Sequence, residues 1–166
     1  MNLKEKINQN LKEAMKQKDE LRLSVLRMLL SAMNNKSIEK RTRLAKSGVA
    51  EEELEKASEL SEEEILEVVR SEGKKRRDAV EGFSKGGRGD LAEKESQELK
   101  ILEEYLPQEL SGEEIEKTVK DVVASIGVVT QKDFGRVMGE VMKKIKGQAS
   151  GDKVGAAVKK ILGGVN

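Results

Sequence analysis

The sequence predicts an all-α protein, and two observations carry the prediction. Apolar residues recur at helical spacing along the chain, and no segment alternates polar and apolar residues up to a hairpin turn. In addition, Ser or Thr is followed three residues later by Glu or Asp at three points where an apolar pattern begins, which is the signature of a capping box at a helix start. These predicted boxes are Ser61 with Glu64, Ser111 with Glu114, and Thr130 with Asp133.

Long helices are predicted for the first part of the chain. Leu3, Ile7 and Leu11 lie on one face of an N-terminal amphipathic helix, and Asp19 begins a second helix. The apolar residues of this second helix cover most of its circumference, so we expect other helices to surround it nearly completely. They are Leu21, Leu23, Val25, Leu26, Met28, Leu29 and Leu30.

The next long helices are predicted to form an antiparallel pair. The segment Ser84 to Asp90 contains three glycines, which end one helix and allow the chain to reverse. Residues 43–59 are expected to be a flexible or poorly ordered part of a charged helix. Pro107 should end the last long helix, because the residue before proline disfavours helical backbone.

Pro107 is also the predicted domain boundary. It separates a long-helix N-terminal domain, residues 1–107, from a small three-helix C-terminal domain, residues 108–166. Within the small domain, Ser150 is the expected N-cap of the final helix. The three short helices are predicted near Glu113 to Ser125, Lys132 to Lys146 and Gly151 to Leu162.

Composition excludes several kinds of site. Without Cys or His, the chain has no Cys or His nucleophile, no Ser-His-Asp triad and no thiolate zinc site, and no metal or cofactor is expected. The only aromatic residues are Phe83, Phe134 and Tyr105, which disfavours recognition of RNA bases by stacking. The absence of cysteine, of a leader-like segment and of a membrane-spanning segment leads to the expectation of a soluble, cytoplasmic protein.

Charges are segregated along the chain although the net charge is only +1. Residues 117–166 hold 10 basic and 4 acidic residues. The cluster Lys74 to Arg77 could bind phosphates, but we expect it to pair with Glu93, Glu95 and Glu98 across the helical hairpin. Carboxylate pairs such as Glu103 with Glu104 are interpreted as solvated helix faces rather than as catalytic groups.

The segment Asp133 to Ser150 is the main candidate site. At about 100° per residue, an apolar stripe from Phe134 to Ile145 occupies one side of its helix and cations occupy the other. Gly135 and Gly139 lie at the boundary, where bare backbone suits close approach by an anion or another helix, and Gly147 is the third predicted close-approach glycine. With lysines of the final helix, the cations would form a surface for RNA phosphates. The predicted RNA-binding residues are Arg136, Lys143, Lys144, Lys146, Lys153, Lys159 and Lys160.

Four segments in this order resemble the GatB/YqeY family, and in particular its stand-alone YqeY-like proteins. They are RLSVLRMLLSAMNN, GRGDLAEKE, ILEEYLPQELSGEEIE and GRVMGEVMKKIKGQASG. The resemblance covers essentially the whole chain and implies long N-terminal helices followed by a domain similar to the tail of the tRNA-dependent amidotransferase B subunit. It assigns family positions to Gly135, Met138, Gly139, Lys146 and Gly147. The chain departs from the family pattern at Gln148, where Arg is common, and at Ser150, where Asp is usual.

Three functions remain open at this point. The resemblance implies a non-catalytic, tRNA-associated protein, whose protein partners would be components of the amidotransferase or of an aminoacyl-tRNA synthetase. It also implies, by association, a glutamine-dependent carbon–nitrogen ligase or an accessory subunit of one, although the domains that hydrolyse glutamine are not in this chain. The third alternative is a protein–protein adaptor that docks a partner either through the acidic long helices or through the stripe formed by Met138, Val141, Met142 and Ile145.

Overall fold

The computed structural model describes residues 2–127 and 130–163, and this part of the chain is helical without any strand. The all-α prediction is therefore confirmed. A 3₁₀ turn, Gln131–Asp133, precedes α7. The α-helices are α1 (Leu3–Gln17), α2 (Glu20–Lys46), α3 (Glu51–Ala57), α4 (Glu62–Lys85), α5 (Gly89–Glu103), α6 (Gly112–Ile126), α7 (Phe134–Ile145) and α8 (Gly151–Gly163).

The chain divides into two compact units, Met1–Tyr105 and Leu106–Asn166. The first unit contains α1 to α5 and the second contains α6 to α8. In the described residues, no helix combines the length and the apolar composition needed to cross a membrane.

Two helical hairpins build the first unit. α1 and α2 reverse direction at Lys18, which has a left-handed conformation with φ of 56°. α4 and α5 reverse direction at Gly86 and Gly87, as the glycine-rich segment predicts, and Arg88 N–H closes the turn on the Phe83 carbonyl at 2.8 Å. Side chains that are almost completely buried between these helices include Ile7, Val25, Leu26, Leu29, Val69 and Leu102.

Capping side chains begin the helices at the positions that the sequence predicts. Ser61 and Ser111 each exchange hydrogen bonds with the Glu three residues later, so both boxes are complete. Thr130 and Asp133 form the third box, which begins the 3₁₀ turn rather than α7 itself. A further box, Asn2 with Glu5, begins α1 and was not predicted.

The segment predicted to be flexible, residues 43–59, is helical on both sides of a turn. α2 continues to Lys46, Gly48 takes a positive φ of 91°, and α3 follows. Two contacts fasten the segment to α2: Ser37 Oγ donates to the Ser58 carbonyl at 2.9 Å, and Lys40 Nζ donates to the Glu59 carbonyl at 2.7 Å. The charged composition obscured these contacts, which join residues about 20 positions apart.

The expectation that other helices nearly surround α2 is wrong for one face of the helix. Val25, Leu26, Leu29 and Met33 are buried against the other helices of the unit. Met28, in contrast, is 41% exposed, because α1, α3, α4 and α5 all pack on the remaining circumference. One stripe of this 27-residue helix is therefore open.

The second unit is a bundle of three helices that all contact one another. Its core is aliphatic, and each helix contributes to it. Fully buried residues of this core include Val119, Val122, Val137, Val141, Val154 and Val158.

Candidate nucleic-acid interface

The apolar stripe of α7 faces the core of the second unit. Val137, Val141 and Ile145 are 0 to 1% exposed, and Phe134, Met138 and Met142 are partly buried against the same core. Burying this stripe is what holds α7 against α6 and α8, since an amphipathic helix gains stability from packing its apolar face. Of the four residues of the proposed docking stripe, Val141 and Ile145 are thus buried and Met138 and Met142 are partly buried, which disfavours that version of the adaptor hypothesis.

The opposite face of α7 is exposed and contains both glycines. Beyond the backbone of its own helix, a Cβ added at Gly135 or Gly139 would meet no atom of the described residues within 4 Å, so packing against the described helices of the unit does not require either glycine. The packing role that the sequence suggested for these two positions is wrong. Glycine costs about 1 kcal/mol relative to alanine inside a helix, and no contact of Gly139 with the described residues offsets this cost. Close approach by an external molecule remains as an explanation.

Three of the seven predicted RNA-binding cations are already paired with carboxylates. Lys143 Nζ lies 2.8 Å from Glu140 Oε1 on its own helix. On α8, Lys153 Nζ lies 2.5 Å from Oε2 of Glu109, which precedes α6. Lys160 Nζ lies 2.5 Å from Oε1 of Glu116, which belongs to α6. Lys160 therefore helps to join α8 to α6, and Lys153 joins α8 to the segment that precedes α6.

The other four predicted cations have no ion pair with a described residue: Arg136, Lys144, Lys146 and Lys159. All four are exposed. Arg136 and Lys144 lie on the outer part of α7, and Lys146 follows at the end of that helix. Lys159 of α8 lies over the ring of Phe134, with Nζ 6.0 Å from the ring centroid, so it lies near the start of α7.

Glu140 is the single carboxylate of α7. Its pKa is lowered first by the hydrogen bond from Lys143, and further by the charges of Lys143, Arg136 and Lys144. The same hydrogen bond raises the pKa of Lys143. One acidic group thus lies in the field of three cations, and the outer face of α7 has a positive excess.

The end of α7 is shaped by Lys146 and Gly147, both of which have positive φ, 47° and 80°. Their conformation turns the chain so that the Gln148 carbonyl accepts a hydrogen bond from Leu110 N–H at 2.8 Å. Gly147 is buried, unlike Gly135 and Gly139. Ser150 then begins α8, with Lys153 N–H donating to its hydroxyl at 3.4 Å, which agrees with its predicted capping role.

The basic cluster Lys74 to Arg77 is largely neutralised inside the first unit. Arg76 Nε lies 2.8 Å from Glu98 Oε2 and 3.4 Å from Glu95 Oε2, so the predicted pairing across the hairpin is confirmed for these two glutamates. Glu93 instead accepts a hydrogen bond from Gln97. The cluster therefore offers few free cations to a ligand.

The carboxylate pairs have structural partners. Glu104 accepts two hydrogen bonds from Arg22, and Glu64 pairs with Lys40 at 2.8 Å while also closing a capping box. The pKa of Glu104 is lowered, first by its bond to Arg22. A proton donor for catalysis would need a raised pKa, so Glu104 does not suit that role.

Comparison with known proteins identifies relatives over most of the sequence. The family model described as Yqey-like protein matches residues 4–48 and 40–162. Among curated proteins, the chain is 30% identical over 139 residues to "Altered inheritance of mitochondria protein 41, mitochondrial" of Vanderwaltozyma polyspora, covering 79% of this chain and 66% of that protein. The protein of the same name from Kluyveromyces lactis is 32% identical with the same coverage of both chains. An uncharacterized protein of Schizosaccharomyces pombe is 42% identical over 48 residues, 29% of this chain and 39% of that protein.

The chain thus spans just under two thirds of the first two relatives. The names of these relatives describe them as mitochondrial, as do those of two further relatives from Lachancea thermotolerans and Eremothecium gossypii. This finding contradicts the expectation of a cytoplasmic protein.

The family match extends through both units and includes the exposed glycines and cations of α7. Since it covers nearly the whole chain and agrees with the helical architecture, this protein is a member of the YqeY-like family.

Proposed function

We propose that this protein binds tRNA without catalysing a reaction, and that the exposed face of α7, with Lys159, is the surface that contacts RNA phosphates. The observation that carries the proposal is the set of four exposed cations without an ion pair beside the open glycines Gly135 and Gly139. A cation that has no carboxylate partner is available to replace the counterions of an RNA backbone.

The face suits backbone contacts better than base reading. Its exposed residues on α7 are Gly135, Arg136, Gly139, Glu140, Lys143 and Lys144, so Asn, Gln, Ser and Thr are absent from it. Phe134 packs on the core, and Tyr105 is only 3% exposed in the other unit. Tyr105 is thus buried, and Phe134 is partly buried with Lys159 over its ring, which disfavours stacking on an unpaired base. Phosphates and the shape of a folded RNA are therefore the features that this surface fits.

The paired lysines take a smaller part in the proposed contact. Lys153 and Lys160 would have to break ion pairs with Glu109 and Glu116 before binding a phosphate. Arg136 and Lys144 can bind a phosphate without first breaking an ion pair. The relatives' names favour a mitochondrial setting for the proposed activity.

A titration of fluorescently labelled tRNA, followed by anisotropy at low salt, tests the proposal. The variant Arg136→Gln/Lys144→Gln should weaken binding severalfold, because it removes two unpaired cations from the face. Lys117→Gln/Lys120→Gln removes the same charge from exposed positions of α6 and should change the affinity much less. Equal effects of the two variants would show non-specific attraction, and no binding at low salt would refute the proposal.

A further inference from the structure

The open stripe of α2 lies in the first unit and has no role in the proposed phosphate contact. Six exposed residues follow one another along it at spacings of four, three, four, three and four. This is the spacing of the a and d positions of a heptad, which place one continuous seam of a helix against another helix. The six are Ser24, Met28, Ser31, Asn35, Ile38 and Thr42.

The stripe borders a continuous depression on the surface of the unit. Three grooves, of about 560, 620 and 430 Å³, follow α2 from Glu20 to Lys46. The first two share Met28 and Ser31, and the last two share Glu39. α4 forms the second wall of the middle groove through residues such as Glu67 and Lys75.

We propose that this stripe binds a second copy of the chain, with the two α2 helices antiparallel around a two-fold axis beside Met33. In such a pair, residues equally far from position 33 lie opposite each other. Met28 then contacts Ile38 of the second copy, and Ser31 contacts Asn35 of the second copy. Met28 and Ile38 are 41% and 54% exposed, and they are two of the three exposed large hydrophobic residues in the described part of the chain.

The positions of the charges on α4 support the antiparallel orientation. α4 runs antiparallel to α2, as shown by the ion pair of Lys40 with Glu64 at 2.8 Å and by Arg76 Nη2 at 3.3 Å from Met28 Sδ. From these two contacts, Lys75 lies at about the same height along the α2 axis as position 29, and Glu67 lies at about the height of position 37. The two-fold axis exchanges these two heights, so Lys75 of each copy lies at the height of Glu67 of the other. Lys75 is also 2.6 Å from Glu72 on its own helix, so in the dimer its charge is shared between Glu72 and Glu67 of the second copy.

Other charges that line the middle groove match in the same way. Glu39 comes within about one helical turn of Lys75 of the second copy, and Glu72 comes within the same distance along the axis of Lys36 of the second copy. A parallel pair in register would instead set each lysine beside its own counterpart. The groove is therefore self-complementary in the antiparallel orientation, as an isologous interface requires.

The other flank of the stripe limits the affinity. There, Arg27 comes near Arg41 of the second copy, and both side chains are exposed and positively charged. The seam itself has one apolar contact on each side of the axis, and its other positions are Ser, Asn and Thr. The expected species is a dimer that dissociates on dilution.

Because the chain contains no cysteine, disulfide cross-linking of the full chain tests both the orientation and the register. The double variant Met28→Cys/Ile38→Cys should form a covalent dimer under mild oxidation, since opposite residues of the two helices come within the Cα separation that a disulfide needs. Neither single variant alone should form a disulfide between the two copies. In an antiparallel pair, position 28 lies ten residues, or about 15 Å, along the axis from position 28 of the second copy.

An equimolar mixture of the two single variants should yield the mixed dimer. Cross-linking of Met28→Cys alone would indicate a parallel pair or random collision. A double variant that forms no disulfide between copies would indicate that another molecule, or none, covers the stripe. Either result overturns the proposal. Sedimentation of the unsubstituted chain should show a concentration-dependent dimer that Met28→Glu abolishes, while Met15→Glu, at an exposed position of α1, leaves it unchanged.

Discussion

Arg22 donates two hydrogen bonds to Glu104, from Nη1 to Oε2 at 2.7 Å and from Nη2 to Oε1 at 2.8 Å. This bidentate contact joins the first turn of α2 to the residue that follows α5. Lys6 Nζ adds a longer bond, 3.4 Å, to the Glu104 carbonyl, and Asn10 donates to the Tyr105 hydroxyl at 2.7 Å. The end of the first unit is thereby fastened to both α1 and α2.

Replacing Glu104 with Gln should lower the stability of the first unit by about 1 kcal/mol or less at neutral pH, because the pair is partly exposed and solvent screens it. The bond to Arg22 lowers the pKa of Glu104 below its ordinary value of 4.5. The stabilisation is therefore complete above that value and is lost as the pH falls through the lowered pKa of the folded state. Urea unfolding of both proteins at neutral and acidic pH measures the difference.

Glu103→Gln is the matched control for this prediction. Glu103 is the adjacent residue, and it accepts a longer hydrogen bond, 3.3 Å, from the exposed side chain of Arg77. Its substitution should cost less than that of Glu104 at neutral pH. A Glu104→Gln effect that stays constant down to acidic pH would contradict the role given to the Arg22 contact.

Arg76 should matter more to stability than either of its acidic partners. It is the cation between Glu95 and Glu98, and the side chains of Arg76 and Glu98 are only 12% and 10% exposed. Arg76→Met leaves the nearly buried carboxylate of Glu98 without its cation, beside that of Glu95, which is 22% exposed, and should cost about 3 kcal/mol. Glu98→Gln leaves the pair of Arg76 with Glu95 and should cost less. Chemical unfolding of both variants measures the two costs. A larger loss of stability in Glu98→Gln than in Arg76→Met would contradict this account.

Replacing Gly139 or Gly147 with alanine should change the stability of the second unit in opposite directions. At Gly139 a Cβ meets open space inside a helix, so Gly139→Ala should raise the free energy of unfolding by about 0.5 to 1 kcal/mol. Gly147 has a φ of 80°, so Gly147→Ala should lower the free energy of unfolding by about 1 to 2 kcal/mol. Thermal unfolding distinguishes the two. If Gly139 serves close approach by RNA, the more stable Gly139→Ala variant should also bind tRNA less tightly.

The sequence alone predicts most of the fold, because its signals are local. Some of these signals depend only on residues that are close in sequence, such as the capping boxes at Ser61 and Ser111 and the glycines after Lys85. The pairing of the candidate cations could not be predicted in this way. Lys153 and Lys160 each meet a carboxylate 44 residues earlier in the chain, and only the packing of α8 on α6 brings the partners together. The open stripe of α2 was missed because its apolar residues extend around the helix, which concealed the one face that stays exposed.

The central claim, that the unpaired cations of the second unit contact RNA phosphates, is tested most directly by the salt dependence of tRNA binding. The logarithm of the affinity should fall linearly with the logarithm of the salt concentration, and the slope should decrease by about one for each contacting cation that is removed. Arg136→Gln/Lys144→Gln should thus reduce the slope by about two, with Lys117→Gln/Lys120→Gln leaving it nearly unchanged. An unchanged slope in the first variant, or equal slopes in both, would contradict the account.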